Sequence, residues 1–321
     1  MQSISYSLLR PAAEDALGVA RYSPKKLVLL HTAVGMTVGL ILSIITYVLD
    51  LGIAQTGGLS GISNRTVLET VQSILSAASM ILLPFWEIGY LCAALQFARR
   101  QSADTTSLYH GLRHWGVVLR SMLLKAGVVF IVMFIGTQIV SSIYMMTPAA
   151  APLHALTLEM AKNGMTDPMA LMESEEYMAL MMDAMPFILI GVGVLLIPVL
   201  YMLRFTDYVA MDRPERGALF AVLTSVYLMR RNLKVMLKLD LRFWWYYALE
   251  LLVVVISYGH MILDIAGIDI GIGGDTAMFV FYLLSLAGQL GLYVWKKNTV
   301  FTTYALAYDC LMQPPATNAE N

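Results

Sequence analysis

Six stretches of about 20 mostly apolar residues follow one another along this chain of 321 residues. They are residues 27–49, 74–95, 126–146, 186–203, 243–263 and 277–295. A helix rises about 1.5 Å per residue, so each stretch is long enough to cross a hydrocarbon core of about 30 Å. A backbone in lipid must satisfy its own hydrogen bonds, and a barrel would show shorter alternating segments. We therefore predict an all-α integral membrane protein with about six transmembrane helices.

The composition excludes an ordinary pair of soluble domains. Hydrophobic residues make up 58% of the chain, charged residues only 13%, and the mean hydropathy is +0.68. The first apolar stretch is long and lacks the residue order of a cleaved secretory signal, so we expect it to remain as a span. The predicted organisation is a cytoplasmic segment 1–26, a single membrane domain 27–312 and a disordered tail 313–321.

The distribution of basic residues predicts the orientation. If the N-terminus is cytoplasmic, 19 of the 21 Lys and Arg residues lie on the cytoplasmic side, and only Arg65 and Lys162 lie opposite. Short cytoplasmic loops carry such an excess of Lys and Arg. We therefore predict that both termini are cytoplasmic and that the protein lies in a bacterial cytoplasmic membrane.

Each cytoplasmic connection is predicted to form a short amphipathic helix at the membrane surface. In the first connection Leu108, Leu112, Trp115 and Leu119 recur at helical spacing, with Arg113 on another face. In the second, an apolar segment 218–229 is too short to span and precedes a basic strip. That strip consists of Arg230, Arg231, Lys234, Lys238 and Arg242. Because basic residues near a membrane attract anionic headgroups, we predict that the strip, with Arg113 and Trp115, binds anionic lipid or a partner protein.

Ionisable residues inside spans are the other candidates, because burying a charge in lipid is costly. Glu87 lies in the second span and Glu250 in the fifth, and both would line one polar cavity if these spans adjoin. A proton or cation relay is one interpretation; a structural hydrogen bond or a carboxylate that reaches the headgroups is the other. His260 and Asp264 are four residues apart, but two ligands are too few for a metal site, so they are interpreted as a polar helix end. His31 is interpreted as a packed side chain.

Known sequence signatures of enzymes are not found, and we predict neither a cofactor nor a metal. The methionines of the loop around 147–185 are interpreted as an apolar packing face, with a Cu(I) site as the alternative. Nucleic-acid binding is not favoured, because the basic residues flank the spans and alternate with Trp and Tyr, as membrane anchors do.

Several motifs resemble one bacterial membrane family. They are Pro198 late in a central span, the segment 212–232, the step Leu239-Asp240-Leu241, the pair Trp244-Trp245 and the ending VFTTYALAYDCL. Together they resemble the family catalogued as domain of unknown function 975, over roughly residues 70–312. The sequence departs from the family pattern at Arg242 and Phe243 and in its long acidic loop, which suggests a distant member. The family brings no catalytic residues to this chain.

These observations predict a multi-pass protein, not an enzyme, whose basic cytoplasmic face engages anionic lipid, a membrane protein partner or a second copy of the chain. The alternative is a small transporter or exporter component with Glu87 and Glu250 in its pathway.

Overall fold

The computed structural model describes residues 6–55, 62–162, 174–265 and 274–312, so the predicted tail lies outside the described residues. All regular secondary structure within these ranges is helical. The helices are α1 Tyr6–Gly18, α2 Pro24–Gln55, α3 Ile62–Ala98, α4 His110–Arg113, α5 Trp115–Met145, α6 Ala151–Lys162, α7 Glu175–Met202, α8 Thr206–Asp212, α9 Gly217–Arg242, α10 Trp244–Ser257, α11 Gly259–Ile265, α12 Gly274–Leu292 and α13 Asn298–Met312. A π-helical segment, Tyr293–Lys297, joins α12 to α13 without a break.

Five helical segments are long and apolar enough to cross a membrane, which supports the predicted multi-pass class. They are Pro24–Leu49, Thr66–Ala98, Trp115–Met145, Glu175–Asp212 and Thr276–Met312. The predicted segment 243–263 is instead divided into α10, of 14 residues, and the short α11. The division falls at Tyr258, whose φ and ψ are −97° and 10°, and is followed by Gly259. A Cβ on Gly259 would lie 2.5 Å from the Phe281 ring, so the glycine allows α11 to approach α12. A sixth span stays a prediction.

The chain forms two compact units, Arg120–Arg204 and the remainder. In the smaller unit, α5 and α7 approach closely at Gly191, where a Cβ would lie 2.6 Å from Val140. A small core next to them contains Tyr144, Ala150, Leu153 and Ala184. This unit therefore consists of two long apolar helices with the short α6 packed against α7.

The larger unit, Met1–Leu119 with Phe205–Asn321, has a densely buried part that we call the packed end. It comprises α1, the start of α2, residues 85–98 of α3, residues 103–111, α8, α9 and α13. Its core contains Leu27, Val28, Tyr90, Ala93, Phe97, Ala103 and Leu108. The apolar helices that lead away from the packed end are largely exposed, as expected for surfaces that face lipid.

The first connection differs from the amphipathic helix that its spacing predicts. Leu108 is fully buried in a 3₁₀ turn, Thr105–Tyr109, while Trp115 already begins α5. Two features favour the turn over a continuous helix. Asp104 caps it by accepting the Thr106 N–H at 2.9 Å, and Gly111 lies so close to α3 that a Cβ would be 2.5 Å from the Phe85 carbonyl oxygen.

An ionic clamp fastens three helices at the packed end. Arg99 donates at 2.6 Å to Asp212 of α8 and at 2.6 Å to Asp309 of α13, and Tyr308 donates to Asp212 at 3.0 Å. Hydrogen bonds to Asp309 and then to Asp212 raise the pKa of the Arg99 guanidinium despite its partial burial. Nearby, burial, followed by the charges of His114 and Arg113, lowers the pKa of His110. Arg99 is therefore a permanent cation that joins two carboxylates.

Candidate functional site

A buried lysine forms the centre of a cluster of ionisable side chains in the larger unit. Lys297, at the end of the π-helical segment, is only 2% exposed. Its Nζ lies 2.8 Å from Glu87 Oε1 and 3.1 Å from Oε2. The aromatic rings of Tyr293, Tyr90 and Phe301 surround the ammonium at 4.4, 4.8 and 5.3 Å from their centroids. The lysine is thus stabilised by one carboxylate and by cation–π contacts.

His31 joins this cluster from α2. Its Nε2 lies 3.3 Å from Glu87 Oε2, in an orientation that does not make a hydrogen bond, and the residue is 4% exposed. The imidazole stacks on Trp86, with ring centroids 5.6 Å apart, and the Trp86 indole N–H donates to the His31 carbonyl at 2.8 Å. The interpretation of His31 as a packed side chain agrees with this burial, but the side chain packs beside a carboxylate.

Glu250 reaches the same cluster from α10. The Tyr293 hydroxyl donates to Glu250 Oε1 at 3.2 Å and accepts from Gln289 Nε2 at 3.2 Å. Glu250 also lies within electrostatic reach of Lys297 and Glu87. The two carboxylates that the sequence singles out are therefore linked through Tyr293 and Lys297 of a third segment.

The π-helical geometry makes this convergence possible. Hydrogen bonds from residue i to i+5 widen the helix locally, and such bulges are frequent at functional sites. Here Lys297 points inward while Trp295 remains 61% exposed. Trp295 packs on Trp245 at 5.6 Å, and Trp86 immediately precedes Glu87. Tryptophans therefore lie beside the cluster, a residue type that is enriched at membrane–water interfaces.

The predicted basic strip lies on α9 and has a regular arrangement, which we call the paired rows. One row contains Leu233, Leu237 and Leu241, and the adjacent row contains Lys234, Lys238 and Arg242. All six side chains are exposed. On the opposite face, Met236 and Leu239 are fully buried. Residues four apart share a helix face, so α9 presents an apolar edge beside a basic edge.

The remaining strip residues surround these rows. Arg230 is exposed, and the Arg231 guanidinium lies over the Tyr227 ring at 4.5 Å from its centroid. Arg242 also donates to the Ser7 carbonyl at 3.2 Å, which ties α9 to α1. Arg113 and Trp115 are exposed on the first connection, where Trp115 begins α5.

His260 and Asp264 both lie on α11. The His260 Nδ1 atom is buried without a hydrogen-bond partner, and the side chain of Asp264 lies outside the described residues. Within the described part of the chain, no group of three or more His, Cys, Asp or Glu side chains could hold a metal ion.

Sequence reasoning missed the central member of the cluster. Lys297 was assigned to a cytoplasmic loop because it follows Trp295 and Lys296 at the apparent end of a span. One signal could have identified it: a carboxylate such as Glu87 within a span requires a counter-charge. Tyr293 and Asn298 carry no comparable signal. Tyr90 donates to Asn298 Oδ1 at 2.6 Å, a contact between residues 208 positions apart.

Comparison with protein-family models, with curated proteins and with solved structures gives no match for this chain. The helices and their exposure therefore define a class: an all-helical protein with several helices of membrane-spanning length and apolarity.

Proposed function

We propose that this chain is a non-enzymatic protein of the bacterial cytoplasmic membrane that holds anionic lipids along α9. The paired rows are the observation that supports this function. An apolar edge can enter the acyl boundary while the adjacent basic edge meets phosphates, which is how interfacial helices bind. Each Lys or Arg near an anionic surface contributes about 1 kcal/mol.

The ionic contacts of α9 agree with this role. Among the described residues, no carboxylate forms an ion pair with Arg230, Arg231 or Lys234. Trp244, the first residue of α10, is 64% exposed and supplies an interfacial anchor. The opposite face, by contrast, is fully buried at Met236 and Leu239 within the packed end. The helix is therefore held in place on one side, while Arg230, Arg231 and Lys234 are exposed on the other.

Native mass spectrometry after gentle extraction tests the proposal. Lys234→Gln with Lys238→Gln removes two charges from the basic row, and the expected loss of about 2 kcal/mol weakens retention of phosphatidylglycerol about thirtyfold. The matched control is Arg65→Gln with Lys162→Gln, the two basic residues predicted on the opposite side. Equal lipid retention by the two double variants would overturn the proposal, as would retention of a protein partner or second copy in place of lipid.

In the proposed orientation, both termini and α9 lie on the cytoplasmic side of the membrane. The 19 basic residues predicted on that side support it, as does the packing of α1 against α13. Membrane-impermeant labelling of cysteines introduced at residues 3 and 318 tests it in spheroplasts. Labelling of either site before lysis contradicts a cytoplasmic location for that terminus.

A small transporter is the second candidate function, favoured by the convergence of Glu87 and Glu250 on Lys297. Proteoliposomes that contain a pH-sensitive dye and experience an imposed proton gradient test it. We expect proton flux that is lost in Glu87→Gln and in Glu250→Gln but retained in Glu14→Gln, an exposed carboxylate of α1. Flux equal to that of empty liposomes would contradict this function.

We also propose that the chain is a distant member of the family that its motifs resemble. The segment 212–232 and the step Leu239-Asp240-Leu241 support the assignment. A solved structure of an established member should show a helix equivalent to α9 followed by an aromatic pair. A different connection at this point would contradict membership.

A further inference from the structure

A cleft of about 200 Å³ opens between the end of α1 and the end of α3. Its lining combines apolar side chains with hydrogen-bond donors. The donors belong to Arg21, Arg100, Gln101 and Ser102. None of these residues belongs to the cluster around Lys297 or to the paired rows.

Arg100 adopts an unusual backbone conformation at this cleft. Its φ is 54°, and it is the only described residue other than glycine with a positive φ. The Arg100 N–H donates to the Phe97 carbonyl at 2.9 Å, and the Gln101 N–H donates to the Gln96 carbonyl at 2.8 Å. These two bonds form the helix ending in which glycine is usual, because a side chain at this position is strained. An arginine here costs about 1 kcal/mol relative to glycine.

The one ion pair of Arg100 does not account for that cost. Its Nη2 lies 2.5 Å from Asp15 Oδ2, but the two side chains are 63% and 60% exposed. An exposed pair of this kind contributes about 0–1 kcal/mol. The pair therefore at most offsets the backbone strain, and Asp15 can be exchanged for another anion.

Arg21 brings a second guanidinium to the same cleft. It is exposed, and no carboxylate among the described residues forms an ion pair with it. With Asp15, the two arginines leave one net positive charge. Guanidinium groups bind phosphate oxygens in bidentate fashion, and the side chains of Gln101 and Ser102 supply further donors.

We propose that this cleft binds a phosphate group, with Arg100 and Arg21 as its principal ligands and Asp15 as an internal competitor. The phosphate belongs to a lipid headgroup or to a small soluble phosphate compound. The proposal is independent of lipid binding along α9, because no residue is shared between the two surfaces.

The purified full-length protein is tested with two probes: inorganic phosphate, followed by ³¹P NMR, and nanodiscs that contain phosphatidic acid, followed by native mass spectrometry. Arg100→Gly is the decisive variant, because it removes the guanidinium and relieves the backbone at once. We expect at least a tenfold loss of binding in Arg100→Gly and in Arg21→Gln, and a severalfold gain in Asp15→Asn. Phosphatidic acid binding is measured in the background of Lys234→Gln with Lys238→Gln, which weakens lipid binding along α9. The control is Arg120→Gln, at an exposed arginine outside both surfaces, and it should retain binding at the cleft.

Arg100-dependent binding of inorganic phosphate identifies a soluble ligand, and Arg100-dependent binding of phosphatidic acid alone identifies a lipid. Binding of both probes that is unchanged in Arg100→Gly overturns the proposal, and so does binding of neither. If Arg100→Gly unfolds, a loss of binding in folded Arg21→Gln together with a gain in Asp15→Asn supports the site; unchanged binding in both overturns it.

Discussion

The helices α12 and α13 are consecutive parts of one continuous segment, yet their surfaces are opposite in character. In α12 the large apolar side chains Phe279 and Leu284 are 58% and 54% exposed. In α13 Thr302, Thr303 and Tyr308 are fully buried. The π-helical segment with Lys297 separates the two.

The difference shows that hydropathy alone does not indicate where a membrane helix is buried. The apolar α12 needs no protein partner on its exposed face, because lipid covers it. The more polar α13 packs among α1, α3 and the π-helical segment, where its hydroxyl groups find partners. For example, Thr303 donates to the Thr299 carbonyl at 2.6 Å, and Tyr304 donates to Asp240. The same distinction separates the whole packed end from the exposed apolar helices, and four sets of substitutions test it.

Two glycine-to-alanine substitutions, one in the packed end and one on an exposed helix, should differ most in their effect on stability. In Gly89→Ala the new methyl group would overlap the Leu108 carbonyl group, so α3 and the 3₁₀ turn must separate. We expect a loss of about 3 kcal/mol in the free energy of unfolding. In Gly39→Ala, on α2, no atom lies within 4 Å of the new Cβ, and the change should be neutral or stabilising. Thermal unfolding in detergent measures the stability of both variants. Equal melting temperatures would contradict the difference in packing between these two positions.

Removing either partner of the pair between Glu87 and Lys297 should lower the free energy of unfolding, but by different amounts. Glu87→Gln leaves the buried Lys297 ammonium without its carboxylate, and we expect a loss of about 2–3 kcal/mol, reduced from the fully buried case because Glu87 is 41% exposed. Lys297→Met leaves only the half-exposed Glu87 carboxylate without its lysine, so we expect a smaller loss in the free energy of unfolding.

The double variant should recover stability relative to Glu87→Gln, as a double-mutant cycle would measure. Additive losses would mean that the two side chains do not interact.

The ionic clamp should give a smaller effect. Arg99→Gln leaves Asp309 without its cation and leaves Asp212 only the Arg213 guanidinium at 3.9 Å, and we expect a loss of about 2 kcal/mol in the free energy of unfolding. The control Arg113→Gln removes an exposed charge of α4 and should cost less than about 0.5 kcal/mol. Chemical denaturation in detergent distinguishes these values, and equal losses would show that the clamp contributes nothing specific.

The cap at Asp104 should give the smallest effect, with a defined pH dependence. Hydrogen bonds from the Thr106 hydroxyl and from backbone N–H groups lower the pKa of Asp104 below its ordinary value of 3.8. The ionised cap therefore stabilises the turn fully above pH 3.8, and this contribution fades as pH falls through the lowered pKa. Asp104→Ala should cost about 1 kcal/mol at neutral pH. A difference from the wild type that persists unchanged in strong acid would contradict this role.

The sequence was sufficient for five of the six predicted long helices and for the basic row of α9, because both depend on local patterns. About 20 apolar residues can span lipid wherever they occur, and rows at a spacing of four follow from the helix itself. Glu87 and Glu250 were also identifiable, since charged residues are rare within spans.

The cluster itself depends on contacts that no local pattern contains. Its position depends on one widened turn at residues 293–297, whereas the sequence suggested that a span simply ends there. The prediction of an amphipathic helix in the first connection was wrong for a similar reason. Leu108 fits the helical spacing, but it is buried by the close approach of Gly89 from α3. The binding of anionic lipid or a partner protein by Arg113 and Trp115 stays a prediction.

The contacts of Asn298 set an order of assembly during synthesis. Its side-chain amide donates to the Pro24 carbonyl at 2.8 Å across 274 positions of sequence. Membrane helices can enter the bilayer one after another as the ribosome proceeds, and chains synthesised in this way fold from the N-terminus. The packed end, however, lacks a central member until α13 leaves the ribosome. Until then, Glu87 on the earlier helices lacks Lys297 as its partner. A protease or chaperone that recognises this incompletely packed intermediate would act before translation ends.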